Sequence, residues 1–196
     1  LIPFSSPMEQ AVFIERQKRF LVHVEQPGKR FWIHTNNSGS MLGLLKPGQN
    51  VLMSKSDNPK RKYAYTLEAM ELDCGWCGVN TLTPNRLLRP LFEKGLLPHS
   101  KTFESIRTEV KAMDSRFDGL MENGQGKKCW IEAKNVSLVE EEVAYFPDAV
   151  TTRGARHLDD LAKLVKKGDM AACLFVIQRP DARCFGPADF IDPAYA

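Results

Sequence analysis

The sequence has no long hydrophobic run and no N-terminal signal-peptide pattern, which are the features that send a chain into or across a membrane. It contains five cysteines, an odd number that cannot all pair within the chain. Both properties favour a reducing cytoplasm and predict a protein without a membrane partner. The net charge is only +3, which is too small to indicate a polyanionic partner unless the basic residues are locally clustered.

Several catalytic and cofactor motifs are also missing. The sequence has no G-x-x-x-x-G-K-[ST] phosphate loop, and no Ser-His-Asp combination stands out. The CGWC motif at 74–77 is a single C-x-x-C, whereas a structural zinc ion usually needs four protein ligands. We therefore expect neither zinc binding nor redox chemistry at this motif.

Residues 1–82 contain short strand-like segments separated by turn residues. The turn signals are Pro27-Gly28, Ser38-Gly39 and Pro47-Gly48. The segments that predict strands are 11–25, 29–35 and 50–56. Even spacing of short strands is typical of a small closed or sandwich-like β unit.

From residue 83 onward the pattern changes to a mixture of helices and strands. TPNRLLRPLFEKG predicts a helix with Thr83 as its N-cap and Gly95 beyond its end, and Pro90 predicts a kink or an early stop. RGARHLDDLAKLVKKG (153–168) predicts a second, amphipathic helix that ends at Gly168. Its predicted apolar stripe consists of Leu158, Leu161, Ala162 and Val165.

Strands are predicted on either side of the second helix, at 105–111, 116–122, 128–134 and 171–178. Alternation places Ile106, Thr108 and Val110 on one face of the first strand. The glycines in ENGQGKK predict a hairpin between the second and third strands. The last strand is a continuous apolar run, which is typical of a strand buried on both sides, and the strand-helix-strand order predicts a right-handed parallel crossover.

Glu132 and Lys134 interrupt the apolar segment CWIEAKNVSL (129–138) two positions apart, so both side chains emerge on the same face of a strand. Antiparallel pairing across the hairpin brings the carboxylate of Asp118 towards that of Glu132. Two carboxylates with a backbone carbonyl and water form an oxygen site suited to Mg²⁺, and a neighbouring lysine can hold a phosphate oxygen or orient a water molecule. The alternative is a simple salt bridge on an exposed strand face.

Glu109 and Lys111 repeat the same spacing on the strand before Asp118. Two interpretations remain open for them. They form a second acid/base pair beside the site, which makes Glu109 a candidate catalytic residue, or Glu109 makes a cross-strand ion pair with Arg116.

The order of Asp118, Glu132 and Lys134 on consecutive strands flanked by helices resembles the PD-(D/E)xK nuclease superfamily. This resemblance implies that Asp118, Glu132 and the carbonyl of Ala133 bind Mg²⁺ or Mn²⁺ and that Lys134 is the catalytic lysine. Phe117 occupies the position of the proline in the PD-(D/E)xK motif.

A literal Pro147-Asp148 does occur, but it follows the Glu-x-Lys strand, outside the order of the superfamily. Arg153 and His157, on the helix that comes next, are expected to approach the site. For His157, the favoured alternative is a position on the surface or at the start of that helix.

Longer motifs resemble the sugar fermentation stimulation protein A (SfsA) family over nearly the whole chain. They are NNSGSM (36–41), KSDNPKRKYAYT (55–66), VNTLTPNRL (79–87), SRFD (115–118), IEAKNVSL (131–138) and YFPDAVTTRGARHL (145–158). The resemblance implies an α+β protein with an N-terminal OB-fold barrel at 1–82 and a nuclease-like α/β domain with a mixed sheet at 83–196. It also implies a further C-terminal piece, since family members usually continue beyond the point where DPAYA ends this chain.

Basic and aromatic residues cluster in the segment KSDNPKRKYAYT. Cations neutralise phosphates and aromatic rings stack on bases, so nucleic-acid binding is predicted here; the alternative is a solvated loop whose tyrosines anchor it to the barrel. The candidate binding residues in this segment are Lys55, Lys60, Arg61, Lys62 and Tyr63. Near the start of the chain, Arg16 and Lys18 share a predicted strand face, where they either extend the binding surface or solvate an edge strand. Arg153 is a further candidate.

Two functions follow from these features. The first is a magnesium-dependent phosphodiesterase, or nuclease, acting on nucleic acid, with DNA favoured by the family resemblance. The second is a non-catalytic DNA-binding regulator. The resemblance to the bacterial SfsA family implies that it would regulate maltose genes. A homodimer is expected by analogy with nucleases that cut two strands.

Overall fold

A computed structural model describes residues 7–196 of the chain, so residues 1–6 of the predicted first domain lie outside it. The N-terminal strands are β1 (Met8–Gln17), β2 (Leu21–Gln26), β3 (Lys29–His34), β4 (Asn50–Lys55), β5 (Tyr65–Leu72) and β6 (Gly75–Gly78). They form one sheet in the order β3-β2-β1-β4-β5-β6, and pairing of His34 with Thr66 joins β3 to β5 and closes a barrel. Alternating side chains such as Val22, Ile33 and Leu67 fill its interior.

The predicted strand at 11–25 is wrong, because the chain reverses within it. β1 and β2 are antiparallel neighbours joined by a turn at Lys18, Arg19 and Phe20, so Lys18 does not share a strand face with Arg16. Lys18 and Arg19 have φ values of 50° and 62° in this three-residue turn, the left-handed conformation that Gly and Asn adopt most readily. Residues 18–20 include no Gly or Asn, the residues that normally signal such a turn, and this explains the error.

The second half of the chain contains two α-helices, a short 3₁₀ helix and two further sheets. Its elements are α1 (Thr83–Glu93), a 3₁₀ helix (Ser100–Thr102), β7 (Ser105–Ala112), β8 (Ser115–Glu122), β9 (Lys128–Val136), β10 (Leu138–Glu140), β11 (Val143–Phe146), α2 (Thr152–Lys166), β12 (Met170–Ile177) and β13 (Cys184–Pro187). A four-stranded sheet has the order β12-β9-β8-β7, and a three-stranded sheet has the order β10-β11-β13. β9 and β12 are parallel as predicted, whereas β10, β11 and β13 were not foreseen.

The helices cover opposite faces of the four-stranded sheet. Leu88 of α1 packs with Ile131 of β9, whereas Leu161 and Leu164 of α2 pack with Trp130, whose side chain points to the other face. No helix within residues 7–196 is long and apolar enough to span a membrane.

Two details of the helices differ from expectation. Thr83 is the first helical residue and Leu82 occupies the N-cap without a side-chain hydrogen bond, so the predicted threonine cap is wrong. In α2, Ala162 and Val165 are exposed, and Leu164 takes the place predicted for them. The apolar stripe was misplaced because polar His157 and Asp160 share the buried face of α2 and break the hydrophobic pattern.

Two strands also differ from expectation. β12 is an edge strand that pairs with β9 alone among the described strands and is half-buried, so its prediction as a strand buried on both sides is wrong. In β7, Ile106 packs beneath α1 whereas Val110 packs on the α2 side. Glu109 lies between them with a φ of 56°, and this irregularity turns the strand and separates residues predicted to share one face.

A buried carboxylate connects the barrel to α1. Glu68 of β5 accepts hydrogen bonds from Ser54 (2.6 Å) and from the side-chain amide of Asn80 (2.7 Å). The Oδ1 atom of Asn80 in turn accepts from the side chain of Asn36 and from the backbone N–H of Leu82. This network fixes where α1 begins relative to the barrel.

A second connection joins the barrel loop Gly39–Met41 to the segment before α2. The Ser40 hydroxyl donates to the backbone carbonyl of Asp148 (2.8 Å), and the Met41 N–H donates to the Asp148 carboxylate (3.3 Å). A Cβ atom at Gly39 would lie 2.8 Å from the Asp148 carboxylate, so this close approach requires glycine.

We expect Gly39→Ala to lower the free energy of unfolding by about 1–2 kcal/mol, because the added methyl group displaces the Asp148 carboxylate from its donors. Urea denaturation measures the change. Gly124→Ala is the matched control, since a Cβ atom there meets Glu104 at an ordinary 3.5 Å. An equal loss of stability in both variants would contradict this account of the contact.

Candidate functional site

The hairpin of β8 and β9 brings Asp118 and Glu132 together. Gly119 pairs with Ile131 in the antiparallel ladder, so Asp118 lies across from Glu132 at the adjoining position. Both side chains line one cavity of about 310 Å³, together with Lys134. The structure therefore assembles the acid pair and the lysine that the sequence pattern predicted.

Glu132 is the buried centre of this cluster, with only 4% of its surface exposed. Its Oε1 atom lies 2.6 Å from the ammonium nitrogen of Lys134 and 2.7 Å from Nδ1 of His157. Its Oε2 atom is buried and has no hydrogen-bond partner within residues 7–196. Glu132 and Lys134 do form the salt bridge of the alternative interpretation, but it is buried rather than on an exposed strand face, and one carboxylate oxygen is left open to a cation.

His157 is buried and lies inside the site, so its interpretation as a helix-surface or helix-start residue is wrong. Nε of Arg153 lies 3.4 Å from Nε2 of His157, so that Nε2 acts as the acceptor. Nδ1 then carries the hydrogen and donates it to Glu132. α2 thus contributes a hydrogen-bond donor that orients the carboxylate.

Asp118 is held by two donors, one from each neighbouring element. The backbone N–H of Ala133 donates to Oδ2 at 2.7 Å, and the side-chain amide of Asn85, on the first turn of α1, donates to Oδ1. Burial raises the pKa of Asp118, the nearby charge of Glu132 raises it further, and these donors with Lys134 partly oppose the shift. Two carboxylates forced together in this way favour a bound cation.

Glu109 lies at the rim of the same cavity. Its carboxylate forms an ion pair with Arg116 at 2.9 Å, as the second of the two interpretations predicted. The same carboxylate accepts a hydrogen bond from Asn85 (3.2 Å). Asn85 therefore bridges Glu109 and Asp118. Lys111 does not line the cavity formed by the described residues, so no second acid/base pair is present there.

The donor set determines which ions fit. No cluster of three or more His, Cys, Asp and Glu side chains suited to a metal exists within residues 7–196. An ion between Asp118 and Glu132 would take its remaining ligands from a carbonyl such as that of Ala133, from water and from substrate. Such a set suits Mg²⁺ and Mn²⁺, which bind oxygen ligands, better than zinc.

The cavity opens into a groove of about 440 Å³ along the contact between the two halves of the chain. The groove and the cavity share Lys134 and Arg153 as lining residues. At its other end the groove is lined by Arg19 and the Asn37–Gly39 loop of the barrel. One continuous depression therefore leads from the carboxylates to the barrel and carries cationic side chains along its length.

The basic segment lies outside this depression. Lys55, Lys60 and Lys62 are exposed, and none of the five candidates from this segment is among the described lining residues. Arg61 donates to Thr66 at 3.0 Å, and the Lys62 ammonium lies over the Tyr63 ring, 5.4 Å from its centroid. The segment is thus a solvated basic surface anchored to β5.

Arg16 has a structural position. Its guanidinium donates to the backbone carbonyls of Asn37 (2.6 Å), Gly39 (3.0 Å) and Arg19 (2.7 and 2.9 Å). Arg16 therefore connects the β1–β2 turn to the loop that borders the groove, and it is Arg19 that lines the groove itself.

Sequence reasoning missed Asn85 and Tyr195. Asn85 gave a weak signal, as a polar residue in the first turn of a helix. The Tyr195 ring packs against Gly154 of α2, and its hydroxyl is buried without a partner among the described residues. Burial raises the pKa of Tyr195, and the charge of nearby Glu132 contributes, so the C-terminal turn lies close to the site. Nothing in the local sequence indicated this contact.

Removing His157 should destabilise the protein. We expect His157→Ala to lower the free energy of unfolding by about 2–3 kcal/mol, because the buried Glu132 carboxylate loses one of its two partners. Urea denaturation measures this loss, and His157→Gln, which retains a donor, should recover part of it. Arg156→Ala, an exposed neighbour on α2, should change stability by less than about 0.5 kcal/mol. Equal effects at the two positions would contradict the assignment.

Comparisons with known proteins identify relatives over the whole chain. The sequence model of the sugar fermentation stimulation protein RE domain matches residues 82–196, and that of the SfsA N-terminal OB domain matches residues 14–79. A sugar fermentation stimulation protein homolog from Syntrophobacter fumaroxidans is 53% identical over 196 residues, which are 100% of this chain and 75% of the relative. A homolog from Maridesulfovibrio salexigens is 50% identical and aligns with 95% of this chain and 79% of its own length.

A solved structure is similar as well. The structure of Pyrococcus furiosus SfsA in complex with Ca²⁺ superposes with a TM-score of 0.88 at 28% sequence identity, covering 96% of this chain and 80% of that one. The predicted OB-fold, followed by an α/β domain with a mixed sheet, is confirmed by these matches.

Proposed function

This chain belongs to the sugar fermentation stimulation protein (SfsA) family, and we propose that it is a divalent-metal-dependent nuclease that hydrolyses phosphodiester bonds in DNA. The observation that carries the proposal is the buried Oε2 atom of Glu132, which is unpartnered among the described residues and lies beside a second carboxylate, a lysine and an open groove.

In this proposal Asp118 and Glu132 hold Mg²⁺ or Mn²⁺, with the Ala133 carbonyl as a further ligand. The ion would lower the pKa of a bound water and neutralise charge on the phosphate. Lys134 places one N–H on Oε1 of Glu132 and keeps the remaining N–H donors for the attacking water or a phosphate oxygen. His157 and Asn85 keep the two carboxylates in position.

The calcium complex of Pyrococcus furiosus SfsA supports a divalent cation in a related protein. Calcium and magnesium are both hard ions that take oxygen ligands, although magnesium demands a tighter geometry. A site made of Asp118, Glu132 and a carbonyl fits this chemistry.

The groove supports nucleic acid as the substrate. Arg19, Lys134 and Arg153 line it, and cationic side chains spaced along a groove match the spaced phosphates of a nucleic-acid backbone. The exposed basic segment with Lys55, Lys60 and Lys62 extends the positive surface over the barrel. All five cysteines are free, which fits action in the reducing cytoplasm.

Cleavage is tested with purified protein on plasmid, single-stranded, branched and RNA substrates, with Mg²⁺ or Mn²⁺ and with EDTA. We expect metal-dependent cleavage that falls at least about a hundredfold in Glu132→Gln and in Lys134→Ala. Lys128→Ala, on the same strand but outside the lining of the cavity, is the matched control. Salt-sensitive binding without cleavage of any substrate would instead support a non-catalytic DNA-binding regulator of sugar genes.

Cation binding is tested separately from catalysis by thermal unfolding. A cation at about a hundred times its Kd should stabilise the chain by about 2.7 kcal/mol, and this gain should vanish in Asp118→Asn and Glu132→Gln. Mg²⁺, Mn²⁺ and Ca²⁺ are compared in metal-free buffer. No stabilisation of the wild-type chain by any of them would refute the metal site.

The cation effect should also depend on pH. Protons and the cation compete for Asp118, and the pKa of this carboxyl is raised, chiefly by burial. As the pH falls, the cation should therefore stop stabilising the chain at a higher pH than it would if Asp118 had an ordinary pKa. Titrating the thermal shift against pH measures this, and a cation stabilisation that persists down to about pH 4, as for an ordinary aspartate, would contradict it.

A further inference from the structure

Two buried polar atoms in this part of the fold lack hydrogen-bond partners within residues 7–196, and their chemistry is complementary. One is Oε2 of Glu132, which accepts hydrogen bonds when the carboxylate is ionised, and the other is the hydroxyl of Tyr195, which can donate one. Buried carboxylates and hydroxyls in folded proteins are nearly always satisfied, either by the protein or by ordered water. A donor and an acceptor left over in one neighbourhood therefore point to a link between them.

The C-terminal turn holds the Tyr195 side chain firmly against the start of α2. Asp192 accepts a hydrogen bond from the backbone N–H of Thr151 (2.8 Å), the N-cap residue of α2. The Tyr195 ring meets the Phe146 ring edge-on, with 5.3 Å between the centroids. A Cβ atom at Gly154 would lie 2.9 Å from the Tyr195 ring, so glycine permits this close approach. With only 9% of Tyr195 exposed, the hydroxyl has a fixed position in the interior.

The Tyr195 hydroxyl lies near the point where Glu132 pairs with Cys173. These two residues are partners in the parallel ladder of β9 and β12, so their side chains share one face of the sheet. Burial raises the pKa of Tyr195, and Cys173 and Glu132 add to the shift. His157, one helical turn after Gly154, contacts the other oxygen of Glu132. The ring that packs on Gly154 and the imidazole that holds Glu132 are thus neighbours along α2.

Among the neighbours of this hydroxyl, the ionised Glu132 carboxylate is the strongest acceptor. The carboxylate of Asp192 already accepts from the backbone N–H groups of Thr151 and Tyr195. The Cys173 thiol is a weak acceptor, and burial raises its pKa to about 11, so it carries no charge at neutral pH. Hydrogen bonds to an ionised acceptor are roughly twice as strong as those between neutral groups. The unpartnered Oε2 atom of Glu132 is therefore the best match for the Tyr195 hydroxyl.

We propose that Tyr195 is a positioning residue of the site, which fixes Oε2 of Glu132 through one ordered water and thereby favours Mg²⁺ over Ca²⁺ as the bound cation. The water accepts the tyrosine hydrogen and donates one of its own to the carboxylate, and such bridges are nearly as favourable as direct hydrogen bonds. The choice of cation rests on the proposed function, whereas the link to Glu132 does not.

The preference for magnesium follows from the way the two ions bind. Magnesium keeps several of its waters in protein sites and demands a tight octahedral geometry, whereas calcium accepts a flexible arrangement of more ligands. A water held in place beside Oε2 of Glu132 therefore assists magnesium more than calcium.

The first test measures the link without any metal, by urea denaturation in EDTA. Tyr195→Phe should raise the equilibrium constant for unfolding about tenfold, because the buried carboxylate loses a hydrogen-bonded partner. In a Glu132→Gln background the same substitution should raise it less than about threefold, since the charge that Tyr195 supports is already gone. Equal effects in the two backgrounds, or a Tyr195→Phe variant that is more stable than the wild type, would overturn the link.

A matched control uses a tyrosine away from the carboxylates. The Tyr145 ring, on β11, packs edge-on against Phe190 with 5.2 Å between the centroids. Tyr145→Phe should therefore have the same effect on stability with Glu132 or with Gln at that position. Coupling as large as that of Tyr195 would show that the cycle does not report a local contact, and it would overturn the assignment.

The second test measures the choice of cation, which a residue with a purely structural role would not alter. Calorimetric titration compares Mg²⁺ and Ca²⁺ binding to the whole chain at a temperature where each variant is folded. Tyr195→Phe should weaken Mg²⁺ about tenfold, within the range for losing an outer partner of a metal ligand. It should weaken Ca²⁺ by less than about threefold. Equal losses for the two ions, or no loss for either, would overturn the role of Tyr195 in cation choice.

The inference and the proposed function fail in different ways. Metal-dependent cleavage with an unchanged preference between the cations in Tyr195→Phe would support the nuclease and overturn the inference. Magnesium binding that depends on Tyr195, together with no cleavage of any substrate, would support the inference and overturn the nuclease. If no cation binds the wild-type chain, the metal site and the cation choice are both overturned, whereas the metal-free cycle still decides the link to Glu132.

Discussion

The structure of the site depends on one buried negative charge. Transferring a carboxylate from water into a protein costs several kcal/mol unless charged and polar partners compensate. For Glu132 the partners come from different elements, Lys134 from its own strand and His157 from α2, and both contact the same oxygen. His157 thus adds a polar contact to the apolar packing of Leu161 and Leu164 that holds α2, and with it Arg153, on the sheet.

The groove exists because the two halves of the chain are fixed to each other at separate points. Glu68 and Asn80 join the barrel to the start of α1, whereas Ser40 and Asp148 join the barrel to the segment before α2. Each connection reaches a different helix, and each helix supplies one support of the carboxylate pair. The barrel is therefore part of the scaffold of the site as well as a binding surface beside it.

Local signals in the sequence predicted most of the secondary structure, including the hairpin that joins β8 to β9 and the stop signal at Gly168 just beyond α2. Contacts between residues that are far apart in the sequence were harder to predict. His157 interrupts an apolar face, and only the buried carboxylate opposite it explains its burial. The turn at Lys18 lacks any turn-forming residue, and the neighbouring Arg16 guanidinium, which also binds the distant carbonyls of Asn37 and Gly39, stabilises it. Apolar composition alone did not distinguish an edge strand such as β12 from a central one.

The parallel pairing of β9 with β12 has a consequence for the order of folding. The chain from Val136 to Met170 passes through β10, β11 and α2 before the second strand is reached, so this pairing must wait for a long loop to close. The hairpin of β8 and β9 needs no such closure and can form earlier. We therefore expect Glu132 and Lys134 to meet while water still surrounds both, and the carboxylate to lose its hydration when α2 docks on the hairpin.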